Sequence, residues 1–180
     1  MAEIKSTLDL VMERTRNLTL SDEEKRGHAE AEFIARVKGM ICRYEDGVLT
    51  VERFAGELTR LMAEFRITDG SAVLGQFARR LDPHRDNAGT FALLEALAGV
   101  MTRRLQTLFE RYAESVEEIE TQARRRRLSF LECRGISGPA VIADIAGDAE
   151  CVEETKRARI AFEREADAWA SEAGGELAAQ

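Results

Sequence analysis

The side chains best placed to do chemistry in this chain of 180 residues fall in two consecutive blocks. Glu114, Glu117, Glu118 and Glu120 come first, and Arg124, Arg125, Arg126 and Arg127 follow. On a helix, Glu120 and Arg124 form an i,i+4 pair in the favourable order. The order of the blocks matters more for partners. Two copies crossing antiparallel near Thr121 set acid against base, whereas a parallel pair in register sets like against like. These eight residues are the candidate interaction site. The chemistry they offer is recognition by charge, directed at an acidic protein partner or at the acidic block of a second copy.

Other constellations weigh less. Glu24, His28 and Glu32 stack four apart on one helical face, but a di-metal helical bundle needs inward Glu-x-x-His pairs, and neither His28 nor His84 has a glutamate three residues before it. Asp82, His84 and Asp86 surround Pro83, as a turn between helices and an N-cap require. Gly135-Ile-Ser-Gly138 is a G-x-x-G beside a basic run, which raises a clamp on a nucleic-acid backbone. Its middle residues are uncharged, so a glycine-rich helix end is the more economical reading. A nucleic-acid- or ribosome-associated factor using Arg124–Arg127 is the alternative function. A net charge of −7 and a pI near 5.1 speak against it, because phosphate neutralisation needs a basic surface. Cys42, Cys133 and Cys151 are far apart and odd in number, which points to reduced thiols. Cys133, near the arginines, reads by default as a buried small apolar residue. No catalytic, cofactor-binding or metal-binding set emerges, and the chain does not read as an enzyme.

The elements that must position these residues are helices. With 33% charged residues, 6% aromatics and only two prolines, the composition suits helices and coiled coils. Ile4, Leu8, Val11, Met12 and Leu18 predict a short amphipathic helix over Ser6–Arg16. Ser21-Asp-Glu-Glu24 is a capping box that opens a helix with Phe33, Ile34, Val37, Met40, Ile41 and Tyr44 on one face, stopped by Asp46-Gly47. Thr50 caps a second helix with Val51, Phe54, Leu58, Leu61, Met62 and Phe65 inward, and the pair should lie antiparallel. A short helix over Ser71–Leu81 follows. Between the two prolines, Asn87–Cys133 reads as one long central helix. Its seam of Leu94, Leu97, Met101, Leu105, Leu108, Tyr112, Val116, Ile119 and Ala123 has an eleven-residue period, which implies a nearly straight bundle. Ala140–Ile145 is too short for periodicity to separate a buried strand from a helical turn, with the helical turn after Pro139 favoured. A last helix from Gly147-Asp148 has Val152, Thr155, Arg159, Phe162, Ala166 and Trp169 inward, and Ala173-Gly174-Gly175 as its stop.

The opening Met1-Ala-Glu-Ile-Lys-Ser-Thr-Leu-Asp-Leu-Val-Met-Glu-Arg-Thr15, with Leu18-Thr-Leu-Ser-Asp-Glu-Glu-Lys25, resembles the start of a group of uncharacterised bacterial proteins. The resemblance implies a bacterial, cytoplasmic origin and transfers no catalytic residues. Lys5 and Glu3 at the start, with no apolar run of the ~20 residues a membrane helix needs, lead to the expectation of a soluble, intracellular protein. The sequence therefore predicts an all-α, elongated, coiled-coil-like helical bundle forming a single unit. Its parts are antiparallel helices in 1–82, a long central helix over 87–133 and a C-terminal helix over 148–173. Its function reads as a cytoplasmic scaffold or adaptor, a homo-oligomer with the antiparallel dimer favoured, binding a protein partner without cofactor, membrane or nucleic acid. The earlier helices folding back along the seam would satisfy it within one chain.

Overall fold

In a computed structural model, which describes residues 21–177, Ser21 opens the first helix through both halves of its capping box. The stretch Ser6–Arg16 lies outside the described residues. In α1 (Asp22–Glu45) the Ser21 hydroxyl accepts from the Glu24 amide at 3.1 Å, and the Glu24 carboxylate accepts from the Ser21 amide at 2.7 Å. The amide bond, then the hydroxyl bond, favours the charged carboxylate and holds Glu24 below the usual carboxyl range. Phe33, Val37, Met40 and Ile41 are buried along one stripe, and Gly47, at φ +71°, turns the chain after it. Thr50 caps α2 (Val51–Phe65), accepting from the Arg53 amide at 3.4 Å. Arg36 meets Glu64 at 2.9 Å and Arg43 meets Glu57 at 3.0 Å, so α1 and α2 run antiparallel. The stripes of both helices match the sequence pattern, because i,i+3 and i,i+4 spacing alone decides which side chains share a face.

The third helix, α3 (Ser71–Ala78), is buried from Val73 through Ala78. Eight residues make a marginal helix alone, so packing on every side stabilises it. After it come Leu81, also buried, and the Pro83 turn. There Asp82 accepts from the His84 amide at 2.9 Å, and the Asn87 side chain donates to the carbonyls of Asp82 and Arg85 at 2.8 Å.

The long central helix is where the structure departs from expectation. Residues 87–133 do not form one continuous rod: α4 (Ala88–Ala98) stops, a 3₁₀ turn covers Gly99–Met101, and α5 (Thr102–Glu132) starts afresh. The break sits at Gly99, whose φ of +54° and ψ of −128° belong to a region open essentially to glycine alone. The seam survives the break: Leu94, Leu97, Leu105, Tyr112, Val116 and Ala123 are buried, with Met101, Leu108 and Ile119 half-buried. A seam that stays in phase on both sides conceals the interruption in the sequence.

The partner of that seam is the last helix, α6 (Ala149–Leu177), opened by Asp148, which accepts from the Cys151 amide at 3.0 Å. Arg104 pairs with Glu172, Arg111 with Glu165 at 3.0 Å and Arg126 with Glu150 at 3.5 Å, an antiparallel order along α5 from Arg104 to Arg126. Between them, Tyr112 and Phe162 stack with centroids 4.8 Å apart, and Phe109 packs edge-on against Phe162. The α5 part of the seam is thus satisfied within one chain by the C-terminal helix, while the α4 part also packs against the earlier helices α2 and α3. Residues Ala140–Ile145, expected to be helical, form neither helix nor strand; Ile142 is 90% exposed.

On its other side α6 holds α3. Gly70 donates its amide to the Gly174 carbonyl at 3.1 Å, and Arg79 reaches Asp167 at 3.0 Å. The pattern Ala173-Gly174-Gly175 predicts a stop, yet α6 continues through both glycines to Leu177. Gly174 serves close approach: a Cβ there would lie 2.7 Å from Ser71 Cα and closer still to Asp69 Oδ1. Val152, predicted on the inner edge, is 55% exposed, and Cys151 beside it is buried. Phe162, Ala166, Trp169, Ala170 and Ala173 form the buried stripe, in which the large rings each contribute roughly 1.5–3 kcal/mol of apolar burial.

Two polar side chains of α6 lock it to its neighbours. Arg159 donates to the carbonyls of Leu81 and Arg79, both at 2.6 Å, and so caps the chain leaving α3. Trp169, fully buried, donates its indole N–H to the Met101 carbonyl at 2.8 Å. That carbonyl belongs to the 3₁₀ turn at the break, so the indole secures the joint between α4 and α5. The protein is all-α, with six helices and no strand among the described residues.

Candidate interaction surface

Helix α5 has two sides with opposite fates. On the side facing α6, Arg104, Arg111 and Arg126 each meet a carboxylate of α6 or its cap. On the outer side, Glu114, Glu117, Glu118 and Arg125 are exposed and take part in no ion pair among the described residues. They line one shallow groove of 380 Å³ with Thr121 and Gln122, as spacings of three, four and seven on a helix dictate.

The eight predicted residues do not act as one patch. Glu120 is the one ion-pairing acid of α5 among the described residues, and its side chain is 19% accessible. It sits between Arg124 Nη2 at 2.6 Å, the i,i+4 pair read from the sequence, and His84 Nε2 at 3.1 Å. The Pro83 turn thereby rests on α5, forming with Glu110, Glu114, Glu117 and Arg124 a recess of 500 Å³. The His84 contact crosses 36 residues, and nothing in local spacing announces it. Arg126 is turned to Asp148 and Glu150 and is no longer part of a free basic block. Arg127 lies over the ring of Phe130, 5.5 Å from its centroid.

The G-x-x-G after α5 is the end of a helix. Gly135, at φ +76°, follows the last turn, and the Ile136 amide donates back to the Leu131 carbonyl at 3.0 Å, the 6→1 bond of a Schellman motif. Cys133, expected to be buried, is exposed, because α5 outruns the core at this end. Glu24 of the Glu24, His28 and Glu32 set is committed to its cap, and all three are exposed. No group of three or more His, Cys, Asp or Glu among the described residues is placed to hold a metal ion. No described helix is long and apolar enough to cross a membrane.

Comparison of the chain with protein-family models, with curated proteins and with solved structures found no match.

Proposed function

We propose that this chain is a cytoplasmic helical scaffold or adaptor, which self-associates along the outer face of α5 and binds a further protein partner. The observation that carries the reading is the division of charge on α5. One side is neutralised inside the chain by α6, while the other keeps Glu114, Glu117 and Glu118 ahead of Arg125 without intrachain ion partners among the described residues. A two-fold axis near Thr121 sets Glu117 of each copy against Arg125 of the other. Such a contact is polar, so it fixes register and orientation more than it adds affinity, and it weakens with salt. Free thiols at Cys42, Cys133 and Cys151 suit a reducing compartment.

Sedimentation equilibrium tests this. Self-association with a Kd of roughly 1–100 μM at low salt, falling as salt rises, is the expected result. Arg125→Glu removes it, and Glu117→Arg combined with Arg125→Glu restores it, because the swap rebuilds the pair with signs reversed. A wild-type chain that stays monomeric at low salt, or a swap that fails to restore what Arg125→Glu removes, sinks the reading.

A further inference from the structure

The main core ends at Val116 and Phe162, and the α5–α6 pair goes on beyond it. There it is held by buried Ala123 and Cys151 and by Arg126 between Asp148 and Glu150. The connecting end differs chemically from the rest of the surface. Phe130 is 44% exposed and is the only exposed aromatic side chain among the described residues. The guanidinium carbons of Arg127 and Arg134 lie 5.5 and 4.2 Å from its ring centroid, and neither arginine is in an ion pair among the described residues. Ile136 and Ile142, on the connection that follows, are 50% and 90% exposed. From Arg124 to Ile142 the chain has five arginines and one acid, Glu132, although the whole carries a net charge of −7.

We propose that this end docks an acidic peptide segment bearing large apolar side chains. The apolar groups would cover Phe130 and the neighbouring isoleucines, and the carboxylates would take the guanidinium edges of Arg127 and Arg134. The proposal rests on the adaptor reading and names its partner-binding end, on residues separate from the self-pairing face. Guanidinium groups resting on a ring keep their N–H fork free for bidentate carboxylates, and being pre-positioned they lose less entropy on binding. Exposed isoleucines gain about 25 cal/mol per Å² when covered. They offer no stacking platform for bases, and one aromatic ring is few for a single strand. A polyanion longer than a Debye length of ~8 Å would also run into Glu114, Glu117 and Glu118, whereas a short peptide meets only the local positive field.

Fluorescence anisotropy on the full chain decides between these. Three labelled probes are used: a short peptide alternating Asp and Glu with Leu and Phe, the same peptide with Ser for Leu and Phe, and oligouridine of equal length. The first should bind, with about tenfold loss in Phe130→Ala and in Arg134→Gln and a comparable loss for the serine peptide. Both side chains are at the surface, and unchanged far-UV circular dichroism confirms the fold. Absence of binding to the first peptide, equal binding of the serine peptide, tighter binding of oligouridine, or indifference to Phe130→Ala would each overturn the proposal. Arg125→Glu should abolish self-association and leave peptide binding intact, and Phe130→Ala the reverse, so failure of one reading is distinguishable from failure of the other.

Discussion

Replacing Trp169 with phenylalanine removes one proton donor from the joint between α4 and α5. The indole is 0% exposed and its Nε1 lies 2.8 Å from the Met101 carbonyl oxygen, so the variant removes that bond and leaves the half-buried carbonyl only its place at the start of the α5 hydrogen-bond ladder. A lost hydrogen bond costs about 0.5–1.5 kcal/mol. The atoms lost from the ring leave a void worth about 1 kcal/mol more. A total of about 1.5–2.5 kcal/mol is a sizeable part of the roughly 5–15 kcal/mol that holds a typical domain together. It should lower Tm by about 3–10 °C. Because Trp169 is the sole tryptophan, urea unfolding must be followed by far-UV circular dichroism in both proteins. A loss below about 0.5 kcal/mol, the size of an ordinary surface change, would refute the idea that the indole secures the break. The next residue in the joint supplies a contrast of opposite sign. Thr102 is buried and its hydroxyl has no hydrogen-bond partner, so Thr102→Val should leave stability unchanged or raise it by up to about 1 kcal/mol.

The two glycines near the end of α6 should respond in opposite directions. Gly174→Ala forces a methyl into Asp69 and Ser71 and should cost about 1–3 kcal/mol in chemical denaturation, while Gly175→Ala meets nothing and should gain about 0.5–1 kcal/mol from helix propensity. Arg159→Gln strips two carbonyls of their donor at the end of α3 and should cost about 1.5–3 kcal/mol, with Arg159→Lys recovering only part because one ammonium replaces a two-pronged fork. The first turn of α1 should loosen in acid. Glu24 has its folded pKa lowered by the Ser21 amide, so its contribution is present above the unfolded carboxyl pKa and lost as pH falls through the lowered one. NMR Cα shifts of Ser21–Lys25 should move towards coil below pH about 4, and Glu24→Gln should abolish that transition.

Caps and faces are legible in the sequence because both are local. Ser21 with Glu24, Thr50 and Asp148 each act within three residues of themselves, and the stripes of α1 and α2 follow from 3.6 residues per turn. Glycine is less legible, because the residue alone does not say which freedom is in use. Gly47 ends a helix as its pattern predicts, Gly99 breaks one inside an unbroken apolar rhythm, and Gly174 stays helical to let two backbones meet. In the candidate site, the acid-then-base order and the Glu120–Arg124 pair are readable from spacing, while His84 on Glu120 and Arg126 on Glu150 are not.

That this protein is helical, where most of its helices begin and which face of each is apolar all follow from the amino-acid sequence, since those are settled over three or four residues. What covers the seam of α5 is a matter of tertiary packing. Exposed ion pairs are each worth less than about 1 kcal/mol, so charge pattern alone does not choose between a second copy and the chain's own C-terminal helix. The choice falls to what is buried: Phe162 stacked on Tyr112, and Trp169 closed over the break at Gly99. With the seam filled from within, the charges of α5 and its end that stay outside are its outer face and the arginines around Phe130, and the proposed self-pairing and peptide docking draw on those.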